Sequence, residues 1–176
     1  ANDVLGAGIA DALVVTRYGH AEPLPWPVLE AGHPLPDEQS LVAGQRLLDF
    51  AAAIPVDATV LVLLSGGASA LVEALPAGMD LAQLRALNDW LLASGFDIVA
   101  MNRLRKRVSR IKGGRLAQLL APRRVLCLAI SDVPGDDPRA IASGPLVADS
   151  SLQTAPDITG LPHVVAEALR HSPPAP

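Results

Sequence analysis

The chain has 176 residues, of which 50% are apolar and only 3% aromatic, so one well-filled core of Leu, Val and Ala is within reach and extensive disorder is excluded. A formal charge of −4 gives no general attraction to nucleic acid or anionic membranes, and the single cysteine, Cys127, excludes an internal disulfide. No apolar run approaches the roughly 18–20 residues that span a bilayer. The start, Ala1-Asn2-Asp3, lacks the basic flank and apolar stretch of a signal peptide, so a cytoplasmic protein is expected.

Leu13-Val14-Val15-Thr16 predicts a first short strand. Residues 19–36 carry Pro23, Pro25, Pro27, Pro34 and Pro36 and read as a long loop, interrupted by a short edge strand at Val28-Leu29-Glu30. Asp37 suits the N-cap of a helix that reaches Ile54, where Pro55 stops it. Thr59 to Leu64 is apolar without alternation, the pattern of a strand covered on both faces in a parallel sheet. It runs into Ser65-Gly66-Gly67-Ala68-Ser69 and a short helix over 70–75. Asp80 and Gln83 sit at capping-box spacing before Leu81, Leu84, Leu87 and Leu91, and Gly95 closes that helix. The next helix, Asp97 to Val108, carries Ile98, Met101, Leu104 and Val108 on one stripe. Gly113-Gly114 breaks the chain before a helix to Leu120. Arg124 to Ile130 is the second buried strand and ends in Ser131-Asp132-Val133-Pro134-Gly135-Asp136-Asp137. Residues 1–171 read as one unit and 172–176 as a frayed, Pro-rich tail.

Strands alternating with helices predict an α/β fold, a three-layer Rossmann-like sandwich with a mainly parallel sheet and helices on both faces. Ligands bind such folds beyond the carboxyl ends of the strands, and both apolar runs end in polar loops.

Three segments carry residue types suited to chemistry. In Ser65-Gly66-Gly67-Ala68-Ser69 the glycines let the backbone approach a ligand, N–H groups at a helix start favour anions, and Ser65 and Ser69 add hydroxyls. A tight turn with a serine cap is the plainer alternative. The loop is neither G-x-G-x-x-G nor a Walker A loop.

The basic segment from Arg103 to Arg115 holds seven of the fourteen Lys and Arg residues. At about 100° per residue, Arg105 falls beside the apolar stripe with Asn102 on the same flank, while Arg103, Arg107 and Arg110 point away as a solvated face. Scarce aromatics and an acidic chain argue against contact with RNA or DNA. Lys112-Gly113-Gly114-Arg115 opens a helix, where charge and backbone together can grip a phosphate. A glycine turn with a solvent lysine is the other reading.

Asp132, Asp136 and Asp137 place three carboxylates at the mouth of a strand, where they repel one another unless a cation or basic group sits among them. Magnesium held by one or two carboxylates plus substrate phosphates suits that arrangement. A Pro-Gly turn and a helix cap suit Asp137, which precedes Pro138. His33, in Gly32-His33-Pro34, is a further loop candidate, and the four histidines have no metal-ligand spacing.

Taken in order, Glu30-Ala31-Gly32-His33-Pro34-Leu35-Pro36-Asp37, Ser65-Gly66-Gly67-Ala68-Ser69-Ala70-Leu71, Leu92-Ala93-Ser94-Gly95, Met101-Asn102-Arg103-Leu104-Arg105-Lys106, Ile111-Lys112-Gly113-Gly114-Arg115-Leu116-Ala117, the Ser131–Asp137 segment and Ile141-Ala142-Ser143-Gly144-Pro145 resemble the N-terminal lobe of glycerate 2-kinases with a C-terminal MOFRL domain. The resemblance covers residues 11–150. It implies phosphorylation of D-glycerate at its 2-hydroxyl to 2-phosphoglycerate, with ATP and Mg2+, in a cleft between two lobes. It also implies that the missing C-terminal lobe is a partner, that nucleic acid and membranes are not, and it leaves room for a homodimer. The older label of some members, hydroxypyruvate reductase, calls for NAD(P) and a dinucleotide fingerprint that this sequence lacks.

The chain departs from the family in four places. Ala68 stands where a third glycine is usual, Arg107 stands where Arg-Lys-His-Leu-Ser has histidine, and the early lysine turn and the MOFRL lobe are absent. The chain alone is therefore expected to be inactive, with a non-catalytic sugar-acid-binding domain as the rival reading. The expected roles are an anion cradle at Ser65, Gly66, Gly67, Ala68 and Ser69, and further binding contacts from His33, Asn102, Gly113 and Gly114. Arg105 and Lys112 would neutralise the transferring group. Asp132 would be general base or magnesium ligand, with Asp136 and Asp137 as further ligands.

Overall fold

The computed structural model describes residues 2–154, 158–170 and 174. The expected tail at 172–176 lies, apart from Pro174, outside the described residues. Helix α1 (Asn2–Leu5) leads into β1 (Val14–Arg17), which pairs in parallel with β2 (Val28–Ala31), Val14 opposite Val28. Helix α2 (Glu38–Ala53) precedes β3 (Thr59–Leu64). A crossover of four helices follows: α3 (Ala68–Leu71), α4 (Leu81–Ala93), α5 (Ile98–Arg107) and α6 (Arg115–Leu120). The chain returns as β4 (Arg124–Ala129), parallel to β3 with Thr59 opposite Arg124 and Leu64 opposite Ala129. Helix α7 (His163–Arg170) closes the described order. Strands that pair in parallel and return through helices make this an α/β fold, as the alternation of sequence periods predicts.

Local chemistry sets the helix ends. Asp37 accepts the Ser40 N–H at 2.9 Å while the Ser40 hydroxyl accepts the Asp37 N–H at 3.0 Å, and Asp80 with Gln83 repeats the device at the start of α4. Asp97 caps α5 through the Ala100 N–H. Each such cap contributes about 1 kcal/mol.

Two cores result. One lies among α4, α5 and α7, where Leu84, Leu87, Leu91, Leu104, Val108 and Val165 are buried and Trp90 meets Phe96 edge to face at 5.4 Å. The other lies between the β3–β4 pair and helices α2 and α6, with Leu48, Ala51, Ile111, Leu116 and Leu120 against Val60, Val62 and Val125. Fully burying each leucine contributes roughly 1.5–3 kcal/mol.

The structure differs from the sequence reading in three ways. The strands β3 and β4 are covered on one face only. Leu63, Leu126, Leu128 and Ile130, on the other face, are 54–76% exposed. The short helix ends at Leu71 rather than 75, because the Glu73 N–H bonds the Ser40 carbonyl and the Ala74 carbonyl takes the Arg110 N–H. Ile98 does not join the apolar stripe of α5; it stands exposed at the first turn, before α5 reaches the core at Leu104 and Val108. Among the described residues, no helix is long and apolar enough to cross a membrane.

Candidate functional site

Parallel strands deliver their chains to one end, and the loops after β2, β3 and β4 meet there. A Cβ placed on Gly66 would stand 2.4 Å from Asp132 Oδ2, and one on Gly67 would stand 2.5 Å from His33 Nε2. Both side-chain tips therefore occupy the space where a Cβ would stand, so a larger residue at either glycine would displace them. Gly67 also sits at φ 81, the left-handed region that glycine adopts without strain. Ser65, Gly66, His33 and Asp132 are exposed, so the meeting point opens to solvent. Ala68 is the first residue of α3, a helical position that alanine suits, so its methyl does not distort the loop. Helix α3 is only four residues long, so the loop's backbone and the flanking side chains, rather than a helix dipole, define this point.

Asp37 holds the histidine loop in shape. Besides capping α2 it accepts the Tyr18 hydroxyl at 2.7 Å, and its Oδ2 would lie 2.9 Å from a Cβ on Gly32. Burial pushes the Asp37 carboxyl up, but hydrogen bonds from Tyr18 and Ser40 outweigh it and bring the pKa down to about 2.

The basic segment is committed elsewhere. Lys112 Nζ pairs with Glu73 and both side chains are buried, so the ammonium faces a carboxylate and not a ligand. The turn that follows is filled. The Gly113 and Gly114 N–H groups bond the carbonyls of Ser143 and Gly144 at 3.0 and 2.8 Å. A Cβ on Gly113 would meet Leu152, and one on Gly114 would meet the Ala148 backbone. The phosphate grip expected of Lys112, Gly113 and Gly114 is thus replaced by close packing. Arg105 donates to Asn88 Oδ1 at 2.8 Å, and burial lowers its pKa, so it tethers α5 to α4. Arg103 and Arg107, expected to be solvated, reach the carbonyls of Leu152 and Thr154. Asn102, half-buried on α5, is not brought to the glycine loop by any described contact.

The three carboxylates do not form a set. Asp137 pairs with Arg139 at 3.0 Å and accepts its N–H, which lowers the Asp137 pKa. Asp136, the residue before it, stands exposed in the turn closed on the Val133 carbonyl, at φ 53. Among the described residues no group of three or more His, Cys, Asp or Glu could hold a metal ion. Asp137 is engaged by Arg139, so Asp132, Asp136 and Asp137 do not form a ready three-carboxylate cage among the described residues.

Glu73, Tyr18 and Asp149 escape sequence reasoning. Glu73 had a signal: a lone acid in the apolar stretch 70–75 must find a cation if that stretch is buried. Asp149 likewise buries its carboxylate against Lys106 at 2.7 Å.

The family described as "Domain of unknown function (DUF4147)" matches residues 1–165. A protein of Agrobacterium vitis, provisionally named hydroxypyruvate reductase, is 51% identical over 148 residues, 83% of this chain and 38% of that one. A D-glycerate 2-kinase of Thermotoga maritima is 44% identical over 153 residues, 86% of this chain and 37% of that one. The crystal structure of a glycerate kinase from Thermotoga maritima superposes with a TM-score of 0.89 at 38% identity, over 99% of this chain and 44% of that one. The chain thus spans less than half the length of the relatives it matches, and its fold is that of the solved glycerate kinase. With its matched region running through every strand and through the loops that meet at Gly66 and Gly67, the chain belongs to the DUF4147 family.

Proposed function

We propose that this chain is part of the N-terminal lobe of a D-glycerate 2-kinase, with residues 1–171 supplying the glycerate side of an active site that a second lobe completes. The observation that carries this reading is the placement of Asp132 and His33 on consecutive glycines, Gly66 and Gly67, at the carboxyl ends of parallel strands. Similarity to the Thermotoga maritima kinase supports the reaction class. The reductase name carried by the Agrobacterium vitis relative fits less well, since the loop after β3 is Ser-Gly-Gly-Ala-Ser and not a dinucleotide fingerprint.

In this reading the glycerate carboxylate rests on the Ser65–Ser69 loop, with the Ser65 and Ser69 hydroxyls and the His33 imidazole as hydrogen-bonding groups. Asp132 accepts the proton of the 2-hydroxyl as that oxygen bonds to the γ-phosphorus of ATP, the bond to the β-phosphate oxygen breaks, and ADP leaves. Positioning supplies most of the rate, as expected for phosphoryl transfer. In this reading Asp132 acts as the base.

The test is a coupled ADP-release assay with D-glycerate. It compares the chain alone with a chimera in which the chain replaces the matching segment of the Thermotoga maritima kinase. The chain alone should show no glycerate-dependent turnover, and the chimera should restore it. A folded chimera that binds ATP yet leaves D-glycerate untouched sinks the reading.

A further inference from the structure

We infer that Tyr18 is a positioning residue for the glycine loop, acting through Asp37 to hold His33 against Gly67. The inference rests on the reading above that this loop binds the substrate anion.

Two ties join the turn after β1 to β2 and the loop that follows it. Glu30, on β2, accepts the N–H groups of Gly19, His20 and Ala21 at 2.6, 3.2 and 3.3 Å, and so fixes the turn next to Tyr18. Tyr18 then donates its hydroxyl to Asp37 Oδ2 at 2.7 Å, across a separation of nineteen residues. The Tyr18 ring is 53% exposed, so this bond does not rescue a buried polar group. Asp37 has its capping work done by Oδ1, which takes the Ser40 N–H and hydroxyl. The second oxygen is turned toward the loop: a Cβ on Gly32 would stand 2.9 Å from Oδ2. Gly32 precedes His33, and His33 Nε2 lies against Gly67.

A continuous set of contacts therefore runs from an exposed tyrosine to the imidazole at the site. A charged acceptor makes the tyrosine bond stronger than a neutral pair would. Removing the hydroxyl should leave Oδ1 capping α2 but loosen the Asp37 carboxylate beside Gly32, and with it the approach of residues 32 and 33 to the glycine loop. A purely structural staple would instead change stability and leave the His33–Gly67 contact as it is.

The experiment compares Tyr18→Phe, His33→Ala and the double variant with the parent chain by NMR, following the His33 imidazole and the Gly67 amide during titration with D-glycerate. Tyr18→Phe should shift both signals before any ligand is added, leave the remote His163 imidazole unmoved, and weaken D-glycerate binding about tenfold, the equivalent of one hydrogen bond to a charged group. The double variant should bind no more weakly than His33→Ala alone. Unmoved His33 and Gly67 signals in Tyr18→Phe overturn the inference, as does a loss that adds to that of His33→Ala. If the parent chain gives no D-glycerate shifts at all, the substrate reading falls, and the His33 and Gly67 signals of the unliganded variant still decide on Tyr18.

Discussion

Asp132 is exposed at the end of β4 and touches Gly66, so an asparagine there keeps the size and disturbs no core. In the chimera, Asp132→Asn should lower kcat about 10²–10⁴-fold, the usual loss when a general base is removed. KM for D-glycerate and the melting temperature should barely move. Activity within a few-fold of the parent would make Asp132 a turn residue. Asp132 and Ser65–Ser69 are legible in sequence because each follows an apolar run directly, and the end of a parallel strand is a place before it is a contact. The partnership of His33 with Gly67 is not legible, since it depends on how the β1–β2 pair settles beside β3. Lys112 misleads for a related reason. A lysine before two glycines resembles a ligand loop until Leu152 and Ala148, far along the chain, are seen to fill the space.

Where elements meet, charge does the joining, and two of these joints make separate predictions. The Lys112–Glu73 pair ties the turn before α6 to the segment after α3, beside α2. Lys112→Met leaves a buried carboxylate without its cation and should cost about 3–5 kcal/mol in urea unfolding. Adding Glu73→Leu should return a large part of it. If Lys112→Met unfolds at the parent's urea midpoint, the pair is ornamental. Asp37 joins α2 to the loops below it, and its pKa of about 2 lies under the roughly 3.9 of an unfolded aspartate. Its contribution is therefore complete above pH 4 and is lost as pH falls from about 4 toward 2. Thermal melts across that range should show a steeper acid limb for the parent chain than for Asp37→Asn. Helix starts such as Asp37, Asp80 and Asp97 are readable from sequence because a cap and its partner lie within three residues. The Lys106–Asp149 and Lys112–Glu73 pairs join residues about 40 positions apart, so even where an acid in an apolar stretch such as Glu73 calls for a cation, its partner is not readable.

The whole molecule presents one feature that its sequence period does not foretell. An apolar run such as Thr59–Leu64 cannot say whether one face or both are covered, and here Leu63, Leu126, Leu128 and Ile130 form an exposed row on one side of β3–β4. Leu128→Thr should raise the soluble yield of this chain while changing unfolding free energy by less than about 0.5 kcal/mol. Light scattering and urea unfolding check the two halves, and an unchanged scattering signal would remove the row from consideration. The pairing of β3 with β4 has a further consequence in time. Paired positions lie about 65 residues apart along the chain, with four helices between them. During synthesis at about 5–20 residues per second, β3 emerges on the order of 3–13 s before the strand it will pair with. Helices α4 and α5 are complete well inside that interval and can close on each other through Leu87, Leu91 and Leu104 without the sheet. The nascent chain can thus assemble α4 and α5 first, and β4, arriving after the crossover, zips onto a waiting edge.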